Sequence, residues 1–314
     1  MKQLQSKIAI VIPVYNTEKF LPECLNSILK QTHKNFTVFA IDDCSTDNSL
    51  KILKEYQKLD SRIVIIKQSK NGGVSQARNA ALCEIEKNKS FDYISFCDSD
   101  DIIAPTMLEE LSSAAISENA QISGCHFKQI GSRSDDAQKT ENYCSYGPES
   151  FIEQIFSLGK WRKTKGRGGY SCIRLFDANT IKGIRFREYK DINEDEMFCV
   201  EAATRAVKIT HIPQPLYLYR YRSDSLSRSN SFSRKLCLAR INCLPLTEKL
   251  SSYASVLNAC AIAKKLKSNS NLLNKQLIKK LSPLLKEGYS LKLISLREYL
   301  RFRIFSFFVT LKGK

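Results

Sequence analysis

Four short apolar runs recur along the first hundred residues, and a segment with helical periodicity separates each run from the next. The runs occupy residues 8–14, 36–41, 62–66 and 93–97, and the first is almost continuously apolar. A strand that is apolar on both faces is typical of a parallel sheet that helices cover on each side. Strands and helices that alternate in this way predict an α/β fold with a doubly wound, mostly parallel sheet.

Polar side chains follow three of these predicted strands directly. Tyr15 follows the first run, Asp43 the second, and Asp98 and Asp100 the fourth. Ligands of such sheets bind beyond the carboxyl ends of the strands, so we expect these side chains to meet in one crevice. Asp98 and Asp100 face the same side of an extended chain, and two close carboxylates repel each other unless a cation lies beside them. The pattern indicates a site for Mg²⁺ or Mn²⁺, which often completes its ligand shell with nucleotide phosphates.

The sequence lacks the signatures of several other classes of protein. Neither Gly-x-Gly-x-x-Gly nor Gly-x-x-x-x-Gly-Lys-Ser/Thr occurs, which argues against a dinucleotide oxidoreductase and a P-loop enzyme. The 11 cysteines include no Cys-x-x-Cys pair, so we expect small buried thiols in a reducing compartment rather than a zinc site. The polar residues 1–7 lack the apolar segment of a signal peptide, which predicts a cytoplasmic protein.

The positive charge of the chain is concentrated in its last third. The formal net charge is +17, and residues 231–314 contain 17 Lys and Arg against 3 Asp and Glu. A basic tract predicts contact with an anionic surface. Residues 291–311 mix aliphatic and aromatic side chains with arginines, which favours a helix lying on the inner face of the cytoplasmic membrane. Packing on the rest of the chain, or on a second subunit in a homo-oligomer, is the alternative.

Six motifs stand in one order along the chain. They are Pro13-Val14-Tyr15-Asn16 with Glu18, Asp42-Asp43-x-Ser45-Thr46-Asp47, Asn71-Gly72-Gly73-Val74 with Ala77-Arg78-Asn79, Asp98-Ser99-Asp100-Asp101, Glu194-Asp195 before Phe198, and Tyr219-Arg220 through Ser225. Together they resemble the motifs of family 2 glycosyltransferases with the GT-A fold, the bacterial enzymes that build surface polysaccharides. The resemblance covers about residues 7–227, and it predicts a catalytic domain at 1–230 followed by a basic helical region at 231–314.

The resemblance implies a binding site for a nucleotide sugar. In this site Asp43 would accept a hydrogen bond from uracil, Asp98 would hold the ribose hydroxyls, and Asp100 would ligate the Mn²⁺ or Mg²⁺ that bridges the diphosphate. The other implied members are Pro13 and Tyr15 at the base, Glu18 near the ribose, Arg78 at the base or phosphate, Arg220 at the diphosphate, and Asn71 and Ser99. Related enzymes often supply a histidine after the last strand, but residues 219–222 contain none.

The resemblance also implies the catalytic groups. Asp195 would be the general base, with Glu194 supporting it, because an acceptor hydroxyl with a pKa far above 7 needs a carboxylate to take its proton. No separate nucleophile is evident, so we expect attack in one step with inversion at the anomeric carbon. The predicted activity is a metal-dependent hexosyl or N-acetylhexosaminyl transfer from a UDP-sugar to a saccharide acceptor carried on lipid, in polysaccharide, lipopolysaccharide or capsule biosynthesis.

Two alternatives from other classes remain at this point. A nucleotidyltransferase of related fold usually carries a glycine-rich loop with Arg or Lys after the first strand, where this chain has Pro-Val-Tyr-Asn. A non-catalytic adaptor could bind membrane or nucleic acid through its basic tail, but the complete set of carboxylates argues against it. We therefore expect no nucleic-acid partner.

Overall fold

The structure is a computed structural model that describes residues 6–88, 90–130, 144–156, 168–187, 194–221 and several short pieces of 240–306. It divides into two compact units, each assembled from segments that are distant in sequence. The first unit comprises Met1–Pro148, Tyr170–Glu188 and Arg205–Arg222, and the second comprises Glu149–Gly169, Tyr189–Thr204 and Ser223–Lys314. The domain boundary at residue 230 stays a prediction.

The amino-terminal half of the first unit is a parallel sheet. Its strands are β1 (Ile8–Val14), β2 (Phe36–Asp42), β3 (Ile63–Lys67) and β4 (Tyr93–Phe96), in the order β3-β2-β1-β4. The helices that connect them are α1 (Leu21–Leu29), α2 (Ser49–Leu59) and α3 (Gly73–Asn88). All four strands and all three helices agree with the elements that the sequence predicts.

The remaining strands of the first unit extend this sheet beyond β4. They are β5 (Ile102–Ile103), β6 (Ile122–Gln129), β7 (Cys144–Tyr146), β8 (Arg174–Asp177) and β9 (Ile209–Tyr219), with α4 (Met107–Glu118) between β5 and β6. The order continues β4-β8-β6-β9-β5, and β7 pairs with β9. Strands β5, β7 and β8 run opposite to the other six, so the prediction of a mostly parallel α/β sheet is confirmed.

Burial explains why β1 lies at the centre of the parallel half. Side chains on both of its faces are buried, among them Ile8, Ala9 and Ile10. Helix α1 buries a stripe at Leu21, Cys24, Leu25 and Ile28 against the same hydrophobic core. Each fully buried aliphatic side chain contributes roughly 1.5–3 kcal/mol relative to exposure. The apolar run therefore determines a strand covered on both sides, as expected.

The sequence pattern alone predicts a strand at 183–187, two strands at 207–211 and 216–221, and a surface loop at 131–146, and the structure differs at each of these places. Residues 183–187 form no strand, since the side-chain amide of Asn79 bonds both the N–H and the C=O of Phe186 and so replaces a strand partner. The two strands expected at 207–211 and 216–221 are the single strand β9, which tolerates Pro215 because its pairing with β6 shifts register there. The loop expected at 131–146 ends in β7, and residues 131–143 lie outside the described part.

The described part of the second unit is helical. It holds most of α5 (Pro148–Ile155) and α6 (Glu194–Arg205), together with α7 (Ser252–Lys265) and α8 (Lys275–Ser290). Residues 254–262 of α7 are buried on every side of the helix. Gly288 of α8 lies against the Cys260 sulfur, where a larger side chain would collide. Among the described residues, no helix has both the length and the hydropathy needed to cross a membrane.

Candidate active site

The carboxyl ends of β1, β2 and β4 lie side by side in the first unit. The Asp43 N–H donates to the Val14 carbonyl at 2.8 Å, and the Cys97 N–H donates to the Val11 carbonyl at 3.0 Å. These bonds bring the residues after the three strands to one edge of the sheet, which we call the carboxyl edge. Pro13 is half-buried near the end of β1, and the Tyr15 side chain that follows is 47% exposed.

Asp43 is buried at the carboxyl edge, and its carboxylate fixes the turn before α3. Its Oδ1 accepts from the Gly72 N–H at 2.8 Å, and its Oδ2 accepts from the Gly73 N–H at 2.7 Å. The Asn71 side-chain amide donates to the Asp43 carbonyl at 3.2 Å. Gly73 has φ +81°, a conformation that a residue with a Cβ adopts at a cost. The predicted residues Asp43 and Asn71 therefore form one local structure.

Glu18 and Ser99, two further predicted residues, make well-defined contacts. One Glu18 carboxylate oxygen accepts from the Asn48 backbone N–H at 2.9 Å and from the Asn48 side-chain amide at 2.8 Å, and so caps the start of α2. Ser99 is buried, and its hydroxyl accepts from the Thr17 hydroxyl at 3.1 Å. The predicted nucleotide contacts of Glu18 and Ser99 stay predictions.

Asp98 is paired with a buried arginine. The Arg78 Nη2 donates to Asp98 Oδ1 at 2.8 Å, and the Arg78 guanidinium lies 5.0 Å from the centre of the Phe186 ring. The Arg78 side chain is almost completely buried, whereas the Asp98 side chain is 35% exposed. Arginine is charged at any ordinary pH, so this charge-assisted hydrogen bond fixes the orientation of the Asp98 carboxylate.

Asp101 is a buried anchor and has no exposed edge for a ligand. The Tyr217 hydroxyl donates to its Oδ2 at 2.6 Å, and the Arg220 backbone N–H donates to its Oδ1 at 2.6 Å. The same tyrosine oxygen accepts from the Asp98 N–H at 3.2 Å. Burial raises the pKa of Asp101 to about 8, and the negative charges of Asp98 and Asp100 add to this effect. This network holds the Asp-x-Asp turn against the end of β9.

The Arg220 side chain connects the same turn to α1. Its Nε donates to the Asp100 carbonyl at 2.8 Å, its Nη2 pairs with the Glu23 carboxylate, and its guanidinium lies 5.1 Å from the centre of the Phe20 ring. The guanidinium is thus held by the Asp100 carbonyl on one side and by the Glu23 carboxylate on the other. The predicted contact of Arg220 with a diphosphate stays a prediction.

The carboxylate oxygens of the carboxyl edge suit a metal ion whose remaining ligands come from a bound nucleotide and from water. Asp100 is half-buried, and its carboxylate is an oxygen donor of the kind that Mn²⁺ and Mg²⁺ prefer, but its role as a metal ligand stays a prediction. Within the described ranges, no three His, Cys, Asp or Glu side chains are grouped to hold a metal. One carboxylate fits Mn²⁺ or Mg²⁺ only if phosphate oxygens and water complete the shell.

The second unit contains the predicted catalytic carboxylates. Glu194 and Asp195 open α6, and Glu196 follows them. Negative charge in a first helical turn is favourable because the helix dipole is positive there. The roles of Glu194 as a support and of Asp195 as a base stay predictions.

Two residues that hold the carboxyl edge together, Tyr217 and Glu23, are absent from the predicted set. The apolar alternation around Tyr217 indicates only that its ring is buried. A buried tyrosine hydroxyl usually finds a partner, but no local pattern identifies Asp101, which is 116 positions away. Nothing in the sequence marks Glu23 as a site residue, because acidic residues are common in the first turn of a helix, where the helix dipole is positive.

Comparison with protein families gives a match over more than half of the chain. The model described as "Glycosyl transferase family 2" matches residues 9–185. Among curated proteins, "Glycosyltransferase GlyA" of Streptococcus pneumoniae serotype 4 is 28% identical over 272 residues, which are 81% of this chain and 38% of GlyA. The chain therefore spans well under half the length of that relative.

Solved structures confirm the predicted GT-A fold. Residues 1–349 of Staphylococcus aureus TarS in complex with UDP align with a TM-score of 0.67 at 20% identity, covering 96% of this chain and 88% of that one. The mannosyltransferase PcManGT of Pyrobaculum calidifontis, in complex with GDP-Man and Mn²⁺, aligns with a TM-score of 0.53 at 12% identity, covering 98% and 88%. At these identities the likeness concerns the fold.

Proposed function

The chain belongs to glycosyl transferase family 2, and from this premise we propose that it transfers a hexosyl or N-acetylhexosaminyl group from a UDP-sugar to a saccharide acceptor. The observation that carries the proposal is the carboxyl edge of the first unit. There, side chains from the ends of three parallel strands form one polar surface, at the place where open α/β sheets bind ligands. The complex of TarS with UDP supports a uridine nucleotide as the donor.

In this proposal the carboxyl edge recognises the nucleotide. The exposed Tyr15 ring, beside Pro13, stacks on the base, and an oxygen of Asp43 accepts from the uracil imide. Each Asp43 oxygen accepts one backbone N–H and retains a second lone pair, so it can accept another hydrogen bond. Asp98, oriented by Arg78, accepts from the ribose hydroxyls. Glu18 lies near the ribose, and the site also includes Ser99 and Asn71, whose side-chain amide bonds the Asp43 carbonyl.

We propose that Asp100 holds Mn²⁺ or Mg²⁺ together with the diphosphate. Such an ion neutralises charge that develops on the leaving phosphate oxygens. The guanidinium of Arg220, bonded to the Asp100 carbonyl, adds positive charge at the same turn. The Mn²⁺ in the PcManGT complex supports the choice of ion.

The chemical step that we propose needs one base. The acceptor oxygen forms a bond to the anomeric carbon while the bond from that carbon to the diphosphate oxygen breaks, which inverts the configuration. The Asp195 carboxylate takes the proton of the acceptor hydroxyl, and Glu194 supports it. A positioned base of this kind contributes about 10²–10⁴-fold to the rate.

We propose that the acceptor is a saccharide carried on lipid and that the protein works on the inner face of the cytoplasmic membrane. The net positive charge of residues 231–314 supports this setting, because anionic lipid headgroups attract Lys and Arg. Surface polysaccharide biosynthesis is the process that fits such an acceptor.

A screen of UDP-sugars tests the proposed function. Wild-type protein with Mn²⁺ or Mg²⁺ is expected to release UDP from at least one UDP-sugar, faster when a saccharide acceptor is present. Asp195→Asn is expected to abolish transfer while UDP still binds, and Glu201→Gln, further along α6, serves as the control. Transfer that persists in Asp195→Asn would assign the base to another residue. Release of pyrophosphate from a nucleoside triphosphate and a sugar phosphate would instead indicate a nucleotidyltransferase.

A further inference from the structure

The first turn of α6 carries three consecutive acidic side chains, and the third of them is bound by an arginine from a distant part of the second unit. We propose that Arg240 is a positioning residue that acts through Glu196 to hold the orientation of the Asp195 carboxylate. The inference rests on the proposed function, in which Asp195 is the base. It gives a residue of the basic C-terminal region, beyond the family match at 9–185, a part in the chemistry.

The contact between Arg240 and Glu196 is bidentate and largely buried. Arg240 Nη2 lies 3.0 Å from one Glu196 carboxylate oxygen and 3.1 Å from the other, and Arg240 Nε lies 3.3 Å from the second oxygen. The side chains are 7% and 17% exposed. Parallel N–H···O bonds between a guanidinium and a carboxylate fix direction as well as distance. Solvent screens such a pair less than it screens a surface ion pair.

Arg240 is itself fixed at its backbone and at its guanidinium. The Asn258 side-chain amide, buried on α7, donates to the Arg240 carbonyl at 3.0 Å and lies 3.4 Å from the Thr247 hydroxyl. The Arg240 guanidinium lies 5.2 Å from the centre of the Phe156 ring, just after α5. Arg240 therefore contacts α7 through Asn258, Phe156 through its guanidinium, and the start of α6 through Glu196.

Glu196 is held from another direction by Gly169. A Cβ built on Gly169 would lie 2.7 Å from the Glu196 Cα, so this glycine lies against the helix backbone itself. The Glu196 backbone contacts Gly169 while its carboxylate contacts Arg240. Helical termini lack the hydrogen bonds that hold a helix interior, so contacts of this kind determine how firmly the first turn is fixed.

Orientation of this turn matters because Asp195 and Glu196 are neighbours on a helix. Successive helical side chains point about 100° apart, so Glu196 can bind Arg240 while Asp195 points elsewhere. A displacement of about 1 Å at a catalytic group can cost about 10²-fold in rate. Loss of the Arg240 contact is therefore expected to reduce the rate of transfer rather than the binding of the donor.

The test compares steady-state kinetics of the full chain for wild type, Arg240→Gln and Arg240→Lys. Arg240→Gln is expected to lower kcat by about 100-fold, while KM for the UDP-sugar and the affinity for UDP stay unchanged. Arg240→Lys keeps the positive charge but not the bidentate geometry, so its kcat is expected to lie between those of Arg240→Gln and wild type. Lys280→Gln removes a half-exposed ion pair with Glu248 in the same unit and is the matched control, with kcat unchanged.

The outcomes separate this inference from the proposed function. Wild-type kcat in Arg240→Gln, when Asp195→Asn is inactive, would overturn the positioning role alone. Absence of transfer by the wild type with every donor would overturn the proposed function, and this inference with it. If circular dichroism shows that Arg240→Gln is unfolded, Glu196→Gln decides, since it keeps the size of the side chain but weakens the ion pair. A kcat equal to that of wild type would then contradict the proposal.

Discussion

Three neighbouring carboxylates after β4 have three different surroundings. Asp98 pairs with the buried Arg78, Asp101 is buried against Tyr217, and Asp100 stays half-buried with its carbonyl bonded by a guanidinium. The sequence predicts that these acidic groups gather at one site, because their spacing after an apolar run is visible in it. It does not predict the separate surroundings, since each partner comes from another element.

The raised pKa of Asp101 predicts a pH dependence of stability. A carboxyl with a pKa of about 8 in the folded protein and about 4 in the unfolded chain binds its proton more tightly when folded. Its contribution to the free energy of unfolding is therefore complete below about pH 4 and is lost as the pH rises through about 8. Asp101→Asn does not titrate, so the stability of the wild type relative to this variant is expected to fall between about pH 5 and pH 9.

Urea denaturation across this pH range, without divalent metal, measures the difference. Asp60→Asn is the control, because Arg62 lowers the pKa of Asp60 and its contribution is lost only as the pH falls into the acid range. The difference in free energy of unfolding between Asp60→Asn and wild type is expected to stay constant between about pH 5 and pH 9. If the free energies of unfolding of wild type and Asp101→Asn change with pH by the same amount, the raised pKa of Asp101 is contradicted.

At the scale of elements, strands β1 to β4 are predictable and the later ones are less so. The first four are apolar runs that helices cover on both sides, so local pattern and tertiary environment agree. Strand β8 has only four residues and begins with a buried arginine, and β5 has two residues. Residues 183–187 alternate apolar and polar side chains as a strand does, but Asn79 binds the backbone there. Side-chain contacts across more than a hundred positions are not encoded in local periodicity.

The connection between β9 and α1 through Arg220 gives a prediction at the same scale. Arg220→Gln removes the charge beside the Asp100 carbonyl and the pairing with Glu23. Hydrogen bonds to charged groups contribute about 1.5–3 kcal/mol, so UDP binding is expected to weaken by roughly 10- to 100-fold. Calorimetric titration with UDP measures the change. The control is Arg62→Gln, just before β3 at the other end of the sheet, which is expected to bind UDP as tightly as wild type does. If Arg220→Gln also binds UDP with the affinity of wild type, a contact between Arg220 and the diphosphate is excluded.

At the scale of the whole molecule, the residues proposed for donor binding and those proposed for proton transfer belong to different units. The first contains the carboxyl edge, and the second contains α6 with Asp195 and Arg240. The family match ends at residue 185, so the residues proposed for proton transfer and its support lie beyond it. Ile294 and Phe302 of the basic C-terminal region are buried.

The basic C-terminal region predicts binding to anionic membranes. Replacing Arg301, Arg303, Lys312 and Lys314 with Gln removes four positive charges, each worth about 1 kcal/mol near an anionic surface. Sedimentation with phosphatidylglycerol vesicles is expected to fall at least about 10-fold relative to wild type. Neutral phosphatidylcholine vesicles are the control, to which neither protein is expected to bind strongly. Equal sedimentation of both proteins with anionic vesicles would favour packing of this region within the protein or on a second copy.

The central claim is that the carboxyl edge binds a nucleotide diphosphate together with a divalent ion. Titration calorimetry of UDP with Mn²⁺ tests it most directly, for wild type, Asp100→Asn and the control Asp60→Asn, which precedes β3 at the opposite end of the sheet. We expect wild type and Asp60→Asn to bind UDP more tightly with Mn²⁺ than without it, and Asp100→Asn to lose that gain. Equal gains from Mn²⁺ in Asp100→Asn and wild type, or no UDP binding by the wild type, would contradict the account.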